Sequence, residues 1–346
     1  ENYPRGEKFL RKAFEVFNAS SMVEWLESRG VALKTYPDQC IFPLSNDSQT
    51  IIDCFLSEAR RLHINLHTSQ SADEIKRGQK GFRIHCRDTE YDADRVIVTT
   101  GGQPKMSGLH WLADIGHEII SPVPSLFTFN MPKEPIRDLM GIVVEKARVR
   151  IEGQKLIGKG PLLVTHWGMS GPAILQLSAW GARILAEKDY QCAILVNWLD
   201  DTKEEELRTQ MNQVIKEHGA KMLANLNPFA MPNRLWVYLL EKNEIKTSLR
   251  WNEMAGKSLN KLINTLINDR YVVQGKTTFK EEFVTAGGVD LHDINVQTME
   301  SKKCPGLYFA GEVMDIDGIT GGFNFQAAWT TGFIAGKSAS SPASPE

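Results

Sequence analysis

Apolar residues recur at helical spacing near the start of the chain and then give way to short, strand-like runs. Residues 8–30 carry apolar positions that predict two helices, and residues 48–63 predict a third. Apolar alternation over residues 64–67 predicts a strand, and residues 82–91 predict a hairpin around a polar turn. A buried strand is predicted over residues 96–100. Helix, strand, hairpin and buried strand in this order indicate an α/β domain.

The middle of the chain follows a different pattern. Short apolar runs, separated by glycine and proline, predict strands at residues 126–130, 142–151, 155–157 and 162–165. Such runs are typical of a small barrel or sandwich. Helices are predicted from Ser170, after a capping box formed by Thr202 and Glu205, and at residues 234–240 and 258–267. We therefore expect a β-rich insert that carries a helical subdomain.

The α/β pattern returns near the end of the chain. Residues 282–285 predict one strand, and residues 307–310 predict another that ends at Gly311. The tail is rich in serine, alanine and proline, which predicts disorder. The expected organisation has four parts: residues 1–122 and 281–337 as two parts of one α/β domain, residues 123–280 inserted between them, and a disordered tail at 338–346.

Composition and charge narrow the classes of function. The 346 residues include 40 lysines and arginines against 42 aspartates and glutamates, a formal net charge of -2. This balance gives no bulk attraction to nucleic acid or to a membrane surface, and we expect neither as a partner. No apolar run approaches the ~20 residues of a membrane helix, and we expect a cytoplasmic protein.

Metal and disulfide chemistry have little support in the sequence. The five cysteines are scattered and form no CxxC motif, so they predict neither a disulfide framework nor a zinc site. The histidines at 63, 67 and 85 have no spacing that would gather them around a metal. No metal site is expected.

Two buried strands end in glycines, which is where ligands bind in open α/β folds. Gly311 follows one of these strands, and Gly101 and Gly102 follow the other. A later glycine pair, Gly321–Gly322, opens a helix whose first N–H groups suit an anionic or electron-accepting group. Taken alone, these glycines equally fit tight connections between elements.

Long stretches of the chain resemble one family of proteins. GLYFAGEVMDIDGITGGFNFQAAWTTGFIAG at 306–336, together with NYPRGEKFLRKAF, IFPLSNDSQTIID, VIVTTGG and THWGMSGPAILQLS, is similar to bacterial FAD-dependent flavoproteins. These are known as NAD(P)/FAD-dependent oxidoreductases or aminoacetone-oxidase-family proteins. The resemblance covers almost the whole chain. It implies a glutathione-reductase-type FAD-binding domain that is interrupted by an inserted β-barrel domain with a helical subdomain.

The same resemblance implies which residues bind FAD. Glu312, with Gly311, stands where related flavoproteins have a Gly-Asp pair on the ribityl chain, and Ala72 stands at the adenine-contacting position. The full set of expected cofactor-binding residues is Ala72, Thr100, Gly101, Gly102, Gly311, Glu312, Asp315, Gly321, Gly322, Phe323, Asn324 and Gln326. The helix start within this set would stabilise negative charge on the flavin ring. The resemblance identifies no catalytic residue.

One feature of the family does not appear in this sequence. Its members begin with a strand, a GxGxxG-type loop, a helix and an acidic residue, and no such segment precedes Glu1. We therefore expect this chain to be a fragment and to bind FAD weakly on its own, because the loop forms the pyrophosphate cradle.

These observations predict an FAD-dependent oxidoreductase that transfers hydride through flavin N5 to or from an unidentified small molecule. NAD(P)H is one candidate as a transient donor, because the chain has no separate nicotinamide-binding fingerprint, and oxygen is a candidate acceptor. The alternative is a non-catalytic binding or scaffold protein that keeps the FAD fold. A third reading, an RNA-modifying flavoprotein, is disfavoured by the net charge of -2. The oligomeric state stays open.

Overall fold

The computed structural model describes residues 1–78, 81–86, 89–277 and 284–341. The helices are α1 (Glu7–Ala13), α2 (Ala19–Glu27), α3 (Gln49–Arg61), α4 (His110–Asp114), α5 (Pro172–Trp180), α6 (Ala182–Glu187), α7 (Glu204–His218), α8 (Asn233–Lys242), α9 (Gly256–Asn268) and α10 (Phe323–Ser340). The strands are β1 (Leu33–Thr35), β2 (Ile41–Pro43), β3 (Glu74–Arg77), β4 (Phe82–Cys86), β5 (Thr89–Ala93), β6 (Val96–Val98), β7 (Ile119–Ser125), β8 (Thr128–Asn130), β9 (Val143–Ile151), β10 (Ile157–Val164), β11 (Gly168–Ser170), β12 (Gln191–Asn197), β13 (Asp269–Gln274), β14 (Lys276–Thr277), β15 (Val284–Val289) and β16 (Leu307–Phe309).

The chain divides into two compact units. The first unit consists of Glu1–Val123 and Val284–Glu346, and the second unit is Pro124–Phe283. In the part of the chain that is described, no helix is both long and apolar enough to cross a membrane.

The first unit is built around a parallel pair of strands. β16 pairs with β6 in parallel, with Phe309 opposite Val98, so the two predicted buried strands lie in one sheet. Parallel strands bring their carboxyl ends to the same edge, so the glycines after β6 and β16 are neighbours. Helix α10 packs against both strands.

The surface of the first unit confirms one local prediction and corrects another. β4 and β5 form the predicted hairpin, and β3 adds a third antiparallel strand to it. The strand predicted over residues 64–67 is wrong: this segment has no regular structure, and Ile64 and Leu66 are 59% and 66% exposed. Alternation specifies a strand only where a neighbouring strand pairs with the backbone and a core covers one face.

The second unit contains a seven-stranded antiparallel sheet in the order β13-β12-β9-β10-β11-β8-β14. The runs predicted as separate strands at 155–157 and 162–165 both overlap one strand, β10, which begins at Ile157 and ends at Val164. Gly158 of this strand is a packing position, because a Cβ atom on it would lie 1.9 Å from the Ala173 carbonyl oxygen of α5. Glycine therefore lets α5 lie directly on the sheet, and it does not end the strand here.

Two predicted boundaries also shift. The Thr202 hydroxyl donates to the Leu199 carbonyl at 2.6 Å, while the Lys203 N–H donates to Glu206 at 3.3 Å, so α7 is capped one residue later than predicted. Helix α10 continues to Ser340, where the sequence predicted a disordered tail from Ser338, and the Ser340 hydroxyl donates to the Lys337 carbonyl at 2.9 Å. Residues 342–346 lie outside the described part of the chain.

Candidate functional site

Gly311 sets the geometry at the end of β16. Its φ angle is +75°, a left-handed conformation that favours glycine, and its N–H donates to the Thr331 hydroxyl of α10 at 2.9 Å. A Cβ atom on Gly311 would lie 3.5 Å from Ala328 Cβ. The small residues on this side of α10 thus let the helix approach the strand end closely, and the next residue, Glu312, is directed inward.

The carboxylate of Glu312 lies inside the first unit. It accepts hydrogen bonds from the backbone N–H groups of Gly102 and Thr285, but its Oε1 atom is buried and has no hydrogen-bond partner within the described residues. Burial raises the pKa of this carboxyl, the charge of Asp317 raises it further, and the two N–H groups oppose the shift. A buried carboxylate oxygen without a donor is costly, and it points to a hydrogen-bond donor on a bound molecule.

Thr285 carries a second buried polar atom without a partner. Its side chain is 1% exposed, and Oγ1 has no hydrogen-bond partner within the described residues. A Cβ atom on Gly102 would lie 2.6 Å from this hydroxyl and 3.6 Å from Oε2 of Glu312. Glycine at position 102 therefore makes the space in which these two polar side chains come together.

An ion pair stands beside this cluster. The guanidinium of Arg5 forms a bidentate pair with the carboxylate of Asp317, whose side chain is fully buried. Bidentate pairing fixes the orientation of both groups. Arg5 thus compensates the buried charge of Asp317, whereas Glu312 relies on backbone N–H groups.

The start of α10 is held in place by contacts that leave its first turn without a side-chain cap. Gly322 precedes the helix with a φ of +85°, and no side chain among the described residues caps the helix there. The Asn324 amide donates to the Gly318 carbonyl at 3.0 Å and accepts from the Gly318 N–H at 2.7 Å. The Tyr3 hydroxyl donates to the Phe323 carbonyl at 2.9 Å. The dipole and free N–H groups of an 18-residue helix favour an anionic or electron-accepting group at this end.

The structure brings some of the predicted site residues together and gives others local roles. Gly101, Gly102, Gly311 and Glu312 lie at the adjacent ends of β6 and β16. Phe323 packs edge-on against Tyr3 at 5.9 Å between ring centroids, and Asn324 holds the preceding loop. The remaining predicted residues are placed as follows: Gly321 and Gly322 are exposed before α10, Gln326 donates to the Thr330 hydroxyl at 3.0 Å, the Asp315 N–H donates to the Val289 carbonyl at 3.0 Å, Thr100 is exposed after β6, and Ala72 is exposed in the irregular segment before β3.

Sequence reasoning did not single out Thr285, Arg5 or Asp317. Arg5 and Asp317 are 312 residues apart, and no local pattern pairs them. Arg5 does lie in NYPRGEKFLRKAF, one of the runs that carried the family resemblance, and Thr285 lies in VTAGGV, just before a glycine pair. A buried strand residue that carries a hydroxyl is the pattern that would have drawn attention to Thr285.

His117 and Ser301 form a second buried polar pair in the first unit. Nδ1 of His117 donates to the Leu112 carbonyl at 3.1 Å, which leaves Nε2 to accept from the Ser301 hydroxyl at 2.8 Å. The Ser301 oxygen also accepts from the N–H groups of Lys303 and Cys304 at 3.0 and 2.8 Å. Because both side chains are buried and fully bonded, this pair holds the segment before β16 in place.

Parallel strands that end in glycines beside a helix start define a Rossmann-type α/β protein. The chain belongs to the HI0933-like protein Rossmann domain family, whose sequence profile matches residues 1–338 and which is of the FAD-binding oxidoreductase type. The chain is similar to a 3-dehydro-bile acid delta(4,6)-reductase from Clostridium scindens, with 26% identity over 340 residues, which cover 96% of this chain and 83% of the relative. It is also 27% identical to ribosomal RNA dihydrouridine synthases from Escherichia coli and Haemophilus influenzae, over 93% and 96% of this chain and 80% and 82% of those relatives.

The described residues fit FAD. Oε1 of Glu312, which lacks a partner in the described part of the chain, can accept from a hydroxyl of the cofactor. The first turn of α10 can face an electron-rich ring edge. In the described part of the chain, no group of three or more His, Cys, Asp or Glu side chains is arranged to hold a metal ion.

Proposed function

We propose that this protein is an FAD-dependent reductase whose substrate is a small unsaturated molecule. The observation that carries the proposal is the buried Oε1 of Glu312, which has no partner among the described residues and lies beside two parallel strands that end in glycines. The direction of the reaction is supported by the relatives: a reductase removes unsaturation, and a dihydro product carries two more hydrogen atoms than its parent. The alternative, a non-catalytic binding or scaffold protein, predicts bound flavin without turnover.

When bound, FAD would supply hydride transfer at its N5 atom. The residues of this chain would bind and orient the cofactor. Glu312 would accept from a cofactor hydroxyl, while Gly102 and Gly311 keep the strand ends free of side chains at that point. The N–H groups at the start of α10 would stabilise negative charge that develops on the ring during reduction.

Several finer features belong to the same proposal. We propose NAD(P)H as the donor, visiting the flavin transiently, and a cytoplasmic location. We also propose that the second unit corresponds to the inserted barrel and helical subdomain that the family resemblance implies. Its seven-stranded antiparallel sheet and four helices of nine or more residues, α5, α7, α8 and α9, support this assignment within the described chain. Kinship with aminoacetone oxidases stays a prediction.

The test begins with the purified protein and added FAD. We expect the visible absorption of bound flavin, its loss under anaerobic conditions when NADH or NADPH is added, and its return when a cyclic enone is supplied. Absence of flavin binding even at a large excess of FAD would refute the proposal. The scaffold alternative would be favoured if flavin binds but, after reduction by NADH, NADPH or dithionite, passes its electrons to no acceptor.

The identity of the electron acceptor also distinguishes a small-molecule substrate from an RNA substrate. Because two relatives are named for ribosomal RNA, a parallel reaction supplies ribosomal RNA from cells that lack the gene and measures dihydrouridine by mass spectrometry. The balanced charge of the chain, 40 basic against 42 acidic residues, supports the small molecule. Flavin reoxidation by the RNA and by none of the enones would replace the small-molecule substrate with RNA.

A further inference from the structure

A basic groove with an apolar floor lies on the second unit, and no part of the proposed reaction uses it. Its volume is about 450 Å³, which is within the range of small-molecule sites. Strands β9, β10 and β12 and the end of α9 supply its lining. All of these elements belong to the second unit, so the groove is complete within one compact body.

Strand register places the basic and apolar side chains of the groove side by side. Arg150 of β9 lies directly opposite Ile157 of β10 and Leu195 of β12, so the three side chains share one face of the sheet. The alternate residues Val149 and Ile151 face the other way and are fully buried in the core of the second unit. The groove is therefore the solvent-facing side of a sheet whose other side is fixed by packing.

The charges in the groove are only partly compensated. Arg148 and Lys159 share the carboxylate of Asp201. Arg150 has no carboxylate partner among the described residues, and its guanidinium donates instead to the amide oxygen of Asn268 at 2.9 Å. This bond orients the guanidinium along the groove without neutralising it. Lys155 also lines the groove and has no ion pair within the described chain.

Between these cations the floor is apolar. Ile157, Leu195 and Ile267 are half-buried and line the groove together. Arginine and lysine select carboxylates and phosphates, whereas an aliphatic floor selects an apolar body. We propose that this groove binds an organic anion with an apolar body, whose carboxylate or phosphate lies between Arg150 and Lys155 and whose body covers Leu195.

The test uses calorimetric titration of the whole protein with four probes: octanoate, octyl phosphate, octanol and inorganic phosphate. At least one octyl anion binds about tenfold or more tightly than both octanol and inorganic phosphate, because only the octyl anions use both the cations and the floor. The tighter of the two octyl anions identifies the anionic group. Equal binding of octanol and both octyl anions would overturn the proposal.

Matched variants localise the binding. We expect Arg150→Gln and Lys155→Gln each to lower the affinity for the tighter-binding octyl anion about tenfold. Lys216→Gln, which removes one exposed positive charge on α7, should leave that affinity within about twofold of the wild type. Arg150→Lys keeps the charge and retains most of the affinity, and circular dichroism checks that each variant is folded. Equal weakening by Lys216→Gln would show a bulk charge effect and overturn the site. The proposal would also be overturned if neither octyl anion bound and a poly-uridine oligonucleotide bound in a way that depended on Arg150.

Discussion

Replacing Glu312 with glutamine separates a cofactor-binding role from a structural one. Glutamine has the same length, and its single oxygen can still accept from the N–H groups of Gly102 and Thr285. Its amide nitrogen then takes the place of Oε1, for which the described residues supply no partner, and presents a donor where the carboxylate presented an acceptor. A hydrogen bond to a charged group contributes about 1.5–3 kcal/mol, so FAD affinity is expected to fall by about ten- to a hundredfold.

The free energy of unfolding of the cofactor-free protein is not expected to fall together with the FAD affinity. Burial disfavours the charge of Glu312, and the neutral amide removes that cost while keeping the backbone hydrogen bonds. We therefore expect Glu312→Gln to leave urea stability unchanged or slightly raised. A merely structural carboxylate would lower stability and FAD affinity together.

The assay is a fluorescence titration of FAD into the wild-type protein, Glu312→Gln and a control. Glu300→Gln is the matched control, because Glu300 also accepts a backbone N–H, that of Gly306 at 2.7 Å, in the same unit. FAD affinity of Glu312→Gln within twofold of the wild type would refute the reasoning. Equal loss in Glu300→Gln would assign the effect to general destabilisation.

Three further predictions rest on other contacts. Gly322→Val adds side-chain atoms before α10 and should weaken FAD binding in the same titration. Gly30→Val is the control: Gly30 has a similar φ (+82° against +85°) and equally open space, so this change should cost only backbone strain. Equal FAD affinity in the two variants would contradict a ligand at the start of α10. Arg5→Met leaves the buried Asp317 charge without its arginine and should lower the urea-measured free energy of unfolding by about 3–5 kcal/mol. Arg83→Met, in the exposed pair with Asp92, should lower it clearly less, and similar losses in the two variants would refute the buried pair. Burial lowers the pKa of His117, so the unfolded state binds a proton at this residue more readily than the folded state does. The thermal stability should therefore be full above the unfolded pKa of ~6.5 and fall as the pH drops from there toward the folded pKa. His117→Gln should flatten this pH dependence.

The strand ends could be predicted from sequence because both signals are local. A run of apolar residues followed by glycine occurs at Val98 and again at Phe309, and the parallel pairing of β6 with β16 follows from two such strands sharing a buried sheet. The segment at residues 64–67 shows the limit of the same approach. Its alternation is as regular as that of a strand, but pairing is decided by distant backbone that a local window does not contain.

The polar side chains of the site were harder to predict from the sequence for a related reason. Glu312 could be predicted because it follows the strand-end glycine Gly311 and the family resemblance gives this pair a role, whereas Thr285 and Arg5 come to the same region from other parts of the chain. Gly158 shows the converse error: a glycine interpreted as a turn residue lies inside β10 because a helix backbone occupies the space of its side chain. Glycine in a sequence indicates that a side chain is excluded, and only the fold shows what excludes it.

The contrast between Asp317 and Glu312 explains why only one of these buried carboxylates is expected to meet a ligand. Asp317 is paired with Arg5, so its charge is satisfied within the protein and its removal should cost stability. Within the described residues, Glu312 accepts from backbone N–H groups and keeps one oxygen without a partner. It also lies close enough to Asp317 for the charge of that residue to raise its pKa further. Such a group destabilises the cofactor-free fold, and a bound hydroxyl donor would remove part of that cost. FAD should therefore protect the wild-type protein against thermal unfolding more than it protects Glu312→Gln at the same FAD concentration, and equal shifts in melting temperature would place the cofactor away from Glu312.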